Sequence, residues 1–416
     1  MGSAAGQDQR GGPTEMRIVV VGGGQAGSAA VARLRALGHA GALTLIGEEP
    51  VPPYQRPPLS KAYLIGEMEE ERLYLRPAAF YADQGIDLLT GVRVTGIDRM
   101  GQTVDLGDRS LGYEALILAT GAVPRRLPAA VGGDLAGVHV LRDLADVDAM
   151  RPSFVPGARL LVVGGGYIGL EAAAVARKLG VAVTLIEMAP RILQRVAAPQ
   201  TSDYIRALHQ GHGVEVLEGI GLTRLTGEDG RVTGAVLSDG REVPCDFVIV
   251  GVGVVPDTAL AAQAGLAVEN GIATDELGRT SDPRIWAAGD CASFLWRGGR
   301  ARLESVQNAI DMAEAVAANV LGAGMAYDPK PWFWSDQYDC KLQIAGLNTG
   351  YQDVVTRRAG DGTSFWYYAG DRLLAVDAMN DPRAYMVGKR LIELGRSPDR
   401  AVIADPATEL KALLKA

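Results

Sequence analysis

The chain has 416 residues, enough for two or three domains, and 48% hydrophobic and 22% charged residues are typical of a folded globular protein. Acidic residues outnumber basic ones, 49 against 41, and the net charge of −8 disfavours nucleic acid as a partner. No apolar run is long enough to span a bilayer, so no membrane partner is predicted. The three cysteines form no pair or metal cluster, which favours a reducing, cytoplasmic compartment.

The first fifteen residues are polar and lack the apolar core of a signal peptide. We interpret residues 1–15 as a flexible leader and expect folded structure from about Met16. From Arg17 the chain reads RIVVVGGGQAGSAAVARLRALGHAGALTLIGE, which is an apolar strand, a glycine cluster, an alanine-rich helix and a second strand. This order is typical of a βαβ unit that binds a dinucleotide.

The same pattern returns from Arg159 as RLLVVGGGYIGLEAAAVARKLGVAVTLIE. In each copy the first glycine permits a tight turn, the second lets the backbone approach a pyrophosphate, and the third lets the helix pack on its strand. The phosphates then meet free amides at the positive end of the helix dipole. Two complete copies therefore predict two nucleotide sites rather than glycine-rich structural turns. The glycines are Gly22, Gly24 and Gly27 in the first copy and Gly164, Gly166 and Gly169 in the second.

A carboxylate closes the second strand of each copy, and Glu48 and Glu187 can accept hydrogen bonds from ribose hydroxyls. Two nucleotide sites in one chain are typical of flavoprotein reductases, which predicts FAD in one site and a nicotinamide coenzyme in the other. Glu187 repels a 2′-phosphate, so NADH is predicted over NADPH. The nearby Arg191 and Arg195 weaken this prediction, because arginine can hold a 2′-phosphate.

Three later segments place small or acidic residues after short apolar strands: residues 116–121 (LILATG), 247–253 (FVIVGVG) and 285–290 (IWAAGD). Ligands of open α/β sheets bind beyond the carboxyl ends of the strands. Asp290 is therefore expected to bind a ribityl hydroxyl or a phosphate. Its plainer interpretation is the N-cap of a helix that follows it.

Further motifs carry a family resemblance: YQRPPLSK at 54–61, GGGYIGLE, LATG, AAGD, ESVQNA at 304–309 and PWFWSDQY at 331–338. With them the chain resembles, from about Met16 onward, the oxygenase-coupled NADH–ferredoxin reductases. This family includes putidaredoxin reductase, rhodocoxin reductase and the reductase components of aromatic-ring dioxygenases. The resemblance implies the α/β fold of glutathione reductase, with two Rossmann-type dinucleotide-binding domains and a C-terminal α+β domain. It implies a split FAD domain (residues 16–124 and 256–328), an NAD domain (125–255) and a C-terminal domain (329–416).

The resemblance also implies which residues contact each cofactor. Those implied for FAD are Gly22, Gly24, Ala26, Gly27, Glu48, Arg56, Lys61, Val94, Ala119, Thr120, Gly121, Arg142, Asp290 and Val306. Those implied for NAD are Gly164, Gly166, Ile168, Gly169, Glu187, Arg195 and Gly251.

Catalytic roles are implied for Lys61, Glu171 and Trp334. In the family the matching lysine lies near the flavin N5 and pairs with the matching glutamate, so that a buried cation stabilises the reduced flavin. The residues alone also permit a solvated helix lysine and a glutamate favoured by the helix dipole. The tryptophan that matches Trp334 lies beside the flavin and faces the ferredoxin.

No cysteine precedes Cys245, so the chain lacks the CxxxxC pair of disulfide reductases with this fold and the single cysteine of thiol peroxidases. We interpret Cys291, in the GDC turn, as a small packing residue. The histidines follow no metal-ligand or catalytic-triad pattern and are interpreted as structural, and no metal site is predicted. They are His39, His139, His209 and His212.

Aromatic residues cluster from Tyr327 to Tyr338, before a predicted strand at 341–346, a hairpin turning at 370–371 and a helix capped by Asp381. This pattern predicts a compact α+β module. Ferredoxins are normally acidic, so an acidic reductase needs a local basic patch to bind one. The candidates are Arg297, Arg300, Arg302, Lys330 and Lys341.

Together these features predict an enzyme in which NADH delivers a hydride to FAD, and FAD passes electrons singly to a [2Fe–2S] ferredoxin. That ferredoxin would serve a cytochrome P450 or a ring-hydroxylating oxygenase. Two alternatives remain open: another acceptor (rubredoxin, a quinone or an organic radical), or a non-catalytic NAD(H)-sensing flavoprotein of the apoptosis-inducing-factor type. A monomer or weak dimer is expected, because one chain supplies all the catalytic parts.

Overall fold

The computed structural model describes residues 15–415, and all but the last residue of the predicted leader lie outside this range. The strands are β1 (Ile18–Val21), β2 (Leu43–Ile46), β3 (Ile86–Leu89), β4 (Gly96–Asp98), β5 (Thr103–Asp105), β6 (Ser110–Gly112), β7 (Ala115–Leu118), β8 (Ala122–Pro124), β9 (Val138–His139), β10 (Arg159–Val163), β11 (Ala182–Glu187), β12 (Glu215–Glu218), β13 (Leu222–Glu228), β14 (Arg231–Leu237), β15 (Glu242–Pro244), β16 (Phe247–Val250), β17 (Val254–Pro256), β18 (Ile272–Ala273), β19 (Ile285–Ala287), β20 (Ala292–Trp296), β21 (Gly299–Ala301), β22 (Trp332–Gln337), β23 (Cys340–Gly346), β24 (Asp353–Ala359), β25 (Gly362–Ala369) and β26 (Arg372–Met379). The helices are α1 (Gln25–Ala36), α2 (Ala78–Asp83), α3 (Leu144–Met150), α4 (Tyr167–Lys178), α5 (Pro199–Gly211), α6 (Ala259–Gln263), α7 (Val306–Val320), α8 (Pro382–Glu393) and α9 (Arg400–Ala404).

The described chain divides into two compact units. The first contains residues 15–55, Leu73–Val123 and Pro256–Pro329, and the second contains Arg56–Arg72, Pro124–Val255 and the chain from Lys330 onward. The breaks near 124, 255 and 329 lie close to the predicted domain borders, and the three-domain division itself stays a prediction. Residues 56–72, assigned from the sequence to the FAD domain, belong to the second unit.

Local contacts explain where residues 56–72 lie. The Tyr63 hydroxyl donates to the Asp148 carboxylate of α3 at 3.0 Å, and the Arg151 guanidinium donates to the Tyr63 carbonyl oxygen at 2.8 Å. The Arg151 guanidinium also lies over the Tyr63 ring, 4.4 Å from its centre. These contacts hold the segment within the second unit.

The first unit is built on a parallel sheet with the strand order β19-β7-β1-β2-β3. All residues of β1, β2 and β7 are buried, as expected for parallel strands covered on both faces. Helices α1 and α7 pack against each other beside this sheet. Because the chain leaves β1 toward β2 and returns to its other side at β7, the strand order reverses at β1, where such sheets bind nucleotides.

The second unit repeats this arrangement in a parallel sheet with the order β12-β11-β10-β16-β9. Leu160 of β10 lies beside Val183 of β11 and Phe247 of β16, as Ile18 of β1 lies beside Leu43 and Ala115. The repeat seen in the sequence is therefore a repeat of the structure.

The last part of the second unit is an antiparallel sheet, β22-β23-β26-β25-β24, covered by α8. The predicted hairpin is confirmed, since β25 and β26 flank residues 370–371. The Asp381 carboxylate caps α8 by accepting a hydrogen bond from the Ala384 amide at 2.9 Å. A methyl group on Gly388 would lie 2.7 Å from Val376, so this glycine lets α8 approach the sheet closely. No helix between residues 15 and 415 is long and apolar enough to cross a membrane.

Candidate functional site

The first glycine cluster forms a tight turn between β1 and α1. Gly22 has φ +123°, and a methyl group on it would lie 2.1 Å from the Ala119 carbonyl oxygen of the neighbouring strand end. A methyl group on Gly27 would lie 1.9 Å from the Gly22 carbonyl oxygen, so this glycine lets α1 begin directly against the turn. Gly24, in contrast, has no atom within 4 Å of its would-be methyl group. The open position is the one assigned from the sequence to pyrophosphate approach.

The N-terminus of α1 lies at this open position. Gly24 is the N-cap, no side chain caps the helix, and its first turn contains no acidic residue. The first-turn amides therefore remain available to an anion, and the helix dipole favours a phosphate there. These features fit the pyrophosphate of a dinucleotide.

The second glycine cluster has the same geometry. Gly164 has φ +108°, and a methyl group on it would lie 2.5 Å from the Gly251 carbonyl oxygen. One on Gly169 would lie 2.3 Å from the Gly164 carbonyl oxygen, whereas the nearest atom to one on Gly166 is 3.9 Å away. Gly166 is the N-cap of α4, whose first turn has neither a side-chain cap nor an acidic residue. The two glycine turns, after β1 and after β10, are therefore equivalent dinucleotide-binding sites, and each is called a cradle below.

The two carboxylates assigned to ribose differ in their surroundings. Glu187 is the last residue of β11, and its oxygens accept hydrogen bonds from the amides of Gly165 and Ala189, both at 2.7 Å. Glu48 lies two residues beyond the end of β2, its side chain is 62% exposed, and it is 3.3 Å from the Arg93 guanidinium. The expectation that Glu48 closes its strand is therefore wrong, because β2 ends at Ile46.

The arginines that follow Glu187 also differ from each other. The Arg191 guanidinium donates to the Ser202 hydroxyl at 2.6 Å and to the Gln194 carbonyl oxygen at 3.4 Å. These bonds hold Arg191 against its own segment. Arg195 is exposed, and its guanidinium would lie 3.9 Å from a methyl group placed on Gly253. Of the two, Arg195 is the one whose guanidinium faces the loop after β16.

Lys61 and Glu171 form an ion pair in the second unit. Lys61 follows the 3₁₀ turn Pro57–Ser60, and its ammonium is 2.6 Å from the Glu171 carboxylate of α4. The two side chains are 22% and 7% exposed. The interpretation of Lys61 as a solvated helix residue is therefore wrong, and the pairing implied by the resemblance is present.

Glu171 has further partners. The Ser60 hydroxyl donates to the same carboxylate oxygen as Lys61, at 2.6 Å, and the Ser335 hydroxyl donates to the other oxygen at 2.7 Å. Both carboxylate oxygens are therefore satisfied by donors, which offsets much of the cost of burying the charge.

Other residues assigned to FAD have the following places. The Arg56 guanidinium donates to the Arg142 carbonyl oxygen at 2.8 Å within the second unit. In the first unit, Thr120 donates to the Asp257 carbonyl oxygen at 2.6 Å, and Val306 is the first residue of α7. Asp290 precedes the strand β20, so its interpretation as the N-cap of a helix is wrong.

Further assigned residues lie beside the glycine loops or in the core. In the first unit, Ala26 is buried in α1, and its methyl group would lie 3.0 Å from a methyl group placed on Gly289. Val94 packs against the hydrophobic core of this unit. In the second unit, Ile168 is exposed and lies in the first turn of α4, just after the second glycine loop in which the sequence placed it. Trp334 lies on β22, with its ring 5.5 Å from that of Trp332.

All three cysteines are free and buried. Burial raises the pKa of Cys245 and of Cys340 to about 12, and it also raises the pKa of Cys291. These thiols stay protonated at neutral pH and are poor nucleophiles. The Cys291 thiol lies 3.5 Å from the Leu118 carbonyl oxygen, in keeping with the packing role expected for it.

The predicted basic patch needs a correction in the first unit. The Arg302 side chain is 13% exposed and 2.6 Å from Glu304, and the Arg300 guanidinium lies 2.9 Å from Glu269. These two charges are neutralised locally, so neither is an available surface cation. Arg297 is exposed and its guanidinium lies over the Trp296 ring. In the second unit Lys330 and Lys341 are exposed.

Four buried polar residues near the ion pair were not assigned to the site from the sequence: Ser60, Ser335, Gln337 and His209. A signal for two of them was present, since Ser335 and Gln337 stand at alternate positions of an aromatic strand. Alternate positions share one face of a strand, and a polar pair on a buried face needs partners.

Comparison with known proteins agrees with this geometry. Residues 16–313 match the pyridine nucleotide-disulphide oxidoreductase family, and residues 332–414 match the reductase C-terminal family. The chain is 44% identical to rhodocoxin reductase of Rhodococcus erythropolis over 397 residues, 94% of this chain and 93% of that one. It is 39% identical to a rubredoxin-NAD(+) reductase of Pseudomonas putida, over 88% of this chain and 97% of that one. The crystal structure of the covalent putidaredoxin reductase–putidaredoxin complex matches with a TM-score of 0.92 and 41% identity, over 96% of this chain and 98% of that one.

Two dinucleotide cradles, each at the strand-order reversal of a parallel sheet, define a pyridine-nucleotide-dependent oxidoreductase. The chain belongs to the pyridine nucleotide-disulphide oxidoreductase family. The predicted glutathione-reductase-like fold is confirmed, and FAD and NAD(H) are its cofactors.

Proposed function

We propose that the protein is an FAD-dependent NADH–ferredoxin reductase, whose [2Fe–2S] ferredoxin serves a cytochrome P450 or a ring-hydroxylating oxygenase. The observation that carries this proposal is the likeness, over nearly the whole chain, to rhodocoxin reductase and to putidaredoxin reductase, whose structure was solved in a covalent complex with putidaredoxin. The three cysteines are free and buried, which agrees with the proposal because electrons then pass from the flavin to the acceptor without a disulfide relay.

The glycine turn after β1 holds the FAD pyrophosphate in this proposal. Its support is the open space at Gly24, the uncapped start of α1, and the close approach of Gly22 to Ala119. When bound, FAD supplies the conversion of a two-electron hydride into single electrons. The side chains assigned to FAD from the sequence keep that assignment as a proposal.

The glycine turn after β10 holds NADH. Glu187, already fixed by two backbone amides, has carboxylate lone pairs left for ribose hydroxyls. The same negative charge opposes a 2′-phosphate, so the enzyme prefers NADH over NADPH. Ile168, Arg195 and Gly251 keep their proposed places in this site.

Lys61 supplies a positive charge to the reduced flavin, and Glu171 holds the lysine ammonium in one orientation. The support is an ion pair with little access to water, where a charge acts with less screening than at the surface. Trp334 is proposed to lie on the side from which the acceptor takes electrons.

Lys330, Lys341 and Arg297 are the remaining candidates for binding an acidic ferredoxin. Charge reversal at Lys330 and Lys341 together should slow ferredoxin reduction and leave NADH–ferricyanide activity intact. Equal loss in both assays would remove these lysines from the proposal. We also propose a cytoplasmic location and a monomer or weak dimer.

The acceptor is tested by measuring steady-state turnover of the flavin-loaded protein with NADH and three purified acceptors: a [2Fe–2S] ferredoxin, a rubredoxin and ferricyanide. The proposal expects saturable reduction of the ferredoxin with a kcat/KM at least tenfold above that for rubredoxin. The reverse order would favour rubredoxin as the partner, as the name of the Pseudomonas putida relative suggests. Flavin bleaching by NADH without turnover on any protein acceptor would favour a sensing protein.

A further inference from the structure

A continuous series of hydrogen bonds leads away from the Glu171 carboxylate into the interior of the second unit. The Ser335 hydroxyl is 2.7 Å from the carboxylate, and the Gln337 amide nitrogen is 3.0 Å from the Ser335 oxygen. The Gln337 carbonyl oxygen is 2.8 Å from Nε2 of His209. Ser335, Gln337 and His209 are all within 1% of complete burial. Three polar side chains thus extend the environment of the ion pair deep into the protein.

The fold explains how these residues meet. On β22, alternate residues share a face, and that face contacts α4: Phe333 packs on Tyr167, with ring centres 4.8 Å apart, and Ser335 meets Glu171 one helical turn later. Gln337 is the next residue on the same face. Helix α5 presents His209 to it from its buried side.

The direction of every hydrogen bond follows from the two ends of the series. Lys61 can only donate, and an ionised Glu171 can only accept, so the single Ser335 proton points at the carboxylate. Ser335 must then accept from the Gln337 NH₂ group, which turns the Gln337 oxygen toward His209. That oxygen can only accept, and His209 therefore carries its proton on Nε2. Every donor in the series points toward Glu171.

His209 is well suited to this arrangement because it stays neutral. Burial lowers the pKa of His209 to about 4. Its Nδ1, left without a proton, lies 3.3 Å from the Tyr338 hydroxyl, which can donate to it. Tyr338 has φ +55° in the turn between β22 and β23, and its ring stacks on His212 at 3.7 Å. The stacked turn fixes the outer end of the series.

Aligned hydrogen bonds of this kind polarise one another and fix the orientation of the carboxylate at their end. Apolar side chains would fill the same space with no buried polar group to satisfy. The series also gives one carboxylate oxygen to Ser335 and leaves the other to Lys61 and Ser60, which sets the orientation of the ion pair.

We propose that Ser335, Gln337 and His209 are positioning residues for the reductase reaction: they hold the Glu171 carboxylate turned toward Lys61. The inference rests on the proposed function, in which Lys61 supplies charge to the reduced flavin. None of the three needs to touch a cofactor, since each acts through its neighbour in the series.

The test compares Ser335→Ala and Gln337→Met with Ser364→Ala in the flavin-loaded protein. Ser364 is a matched control, because it is a fully buried serine of the same sheet that donates to another carboxylate, Asp381, at 3.4 Å. The measured quantities are the rate of anaerobic flavin bleaching by NADH and the Kd of NADH. We expect Ser335→Ala and Gln337→Met to slow bleaching about tenfold, with the Kd within twofold of wild type and Ser364→Ala unaffected.

A double-mutant cycle separates positioning from general destabilisation. In a Glu171→Gln background, Ser335→Ala should slow bleaching no further, since the carboxylate on which it acts is gone. The position of the histidine proton gives a readout on the wild-type protein that does not depend on turnover. Nitrogen-15 NMR of the wild-type protein should show a neutral histidine protonated on Nε2 at pH 7 whose signal is lost in His209→Gln, which assigns it to His209.

The outcomes are distinguishable. Three results would overturn the inference: a His209 proton on Nδ1, flavin bleaching as fast in Ser335→Ala as in Ser364→Ala, or additive losses in the double-mutant cycle. Each of them leaves the proposed function standing as long as NADH bleaches the wild-type flavin quickly. A wild-type flavin that NADH does not bleach contradicts the proposed function itself, and the positioning role with it. The inference is supported if Ser335→Ala and Gln337→Met slow flavin bleaching, Ser364→Ala does not, and Ser335→Ala has no further effect in the Glu171→Gln background.

Discussion

Alanine at the open glycine of each cradle should remove one coenzyme and spare the other. Gly24 has φ −94° and ψ −163°, and Gly166 has φ −82° and ψ 174°, conformations that alanine adopts without strain. Neither methyl group would meet a protein atom closer than 3.9 Å. Both variants should therefore fold, with a free energy of unfolding unchanged or about 0.5 kcal/mol higher.

The binding cost follows from the same geometry. The methyl group occupies the space through which a phosphate oxygen reaches the amides at the helix N-terminus, so one or two charge-assisted hydrogen bonds are lost. At about 1.5–3 kcal/mol for such a bond, binding weakens roughly 10- to 100-fold or more. Gly24→Ala should lose FAD, and Gly166→Ala should keep FAD and bind NADH weakly.

The assay measures FAD per polypeptide by absorbance, the Kd of FAD by reconstitution, and the Kd of NADH by anaerobic titration. Gly211→Ala is the control, since Gly211 ends α5 and a methyl group on it meets no atom within 4 Å. A Gly24→Ala protein that keeps FAD but loses NADH would reverse the assignment of the cradles. Retention of both coenzymes by both variants would show that neither turn contacts a phosphate.

Three further predictions concern other residues. Burial raises the pKa of Asp377 to about 6, so between about pH 4 and pH 6 the native state keeps a proton that the unfolded chain releases. The free energy of unfolding should therefore fall by about 3 kcal/mol as the pH rises from about 4 to above 6. Urea unfolding measures this dependence, and Asp377→Asn should flatten it. Arg357 is buried and donates to the carbonyl oxygens of four residues in the segment 403–408. Arg357→Met should therefore lower the free energy of unfolding by about 2–4 kcal/mol and make the C-terminal segment more accessible to trypsin. An unchanged rate of tryptic cleavage would contradict this role. Glu187→Ala should reduce the preference for NADH over NADPH at least tenfold in kcat/KM, and an unchanged ratio would remove Glu187 from coenzyme selection.

The two cradles could be predicted from the sequence because their signals are local. Gly22, Gly24 and Gly27 lie within six residues, and the same spacing at Gly164 fixes the same turn. The position of Glu48 was less predictable, because where β2 ends depends on its pairing with β1 and β3 rather than on the glycine spacing.

Residues distant in the sequence were harder to predict. The pairing of Lys61 with Glu171, 110 residues apart, followed only from the family resemblance. The contact of His209 with Gln337 spans 128 residues and depends on how α5 meets β22, which no local pattern encodes. The pairing of Arg302 with Glu304 could have been expected from the sequence, because the two opposite charges are only two residues apart.

The most direct measurement is an anaerobic titration of the yellow protein with NADH, in which the electrons taken up per FAD are counted. We predict complete bleaching at one NADH per FAD and no further uptake, because the three cysteines are separate, buried and protonated. Uptake of a second pair of electrons would reveal a redox-active disulfide. A flavin that stays yellow with excess NADH would contradict hydride transfer between the two coenzymes altogether.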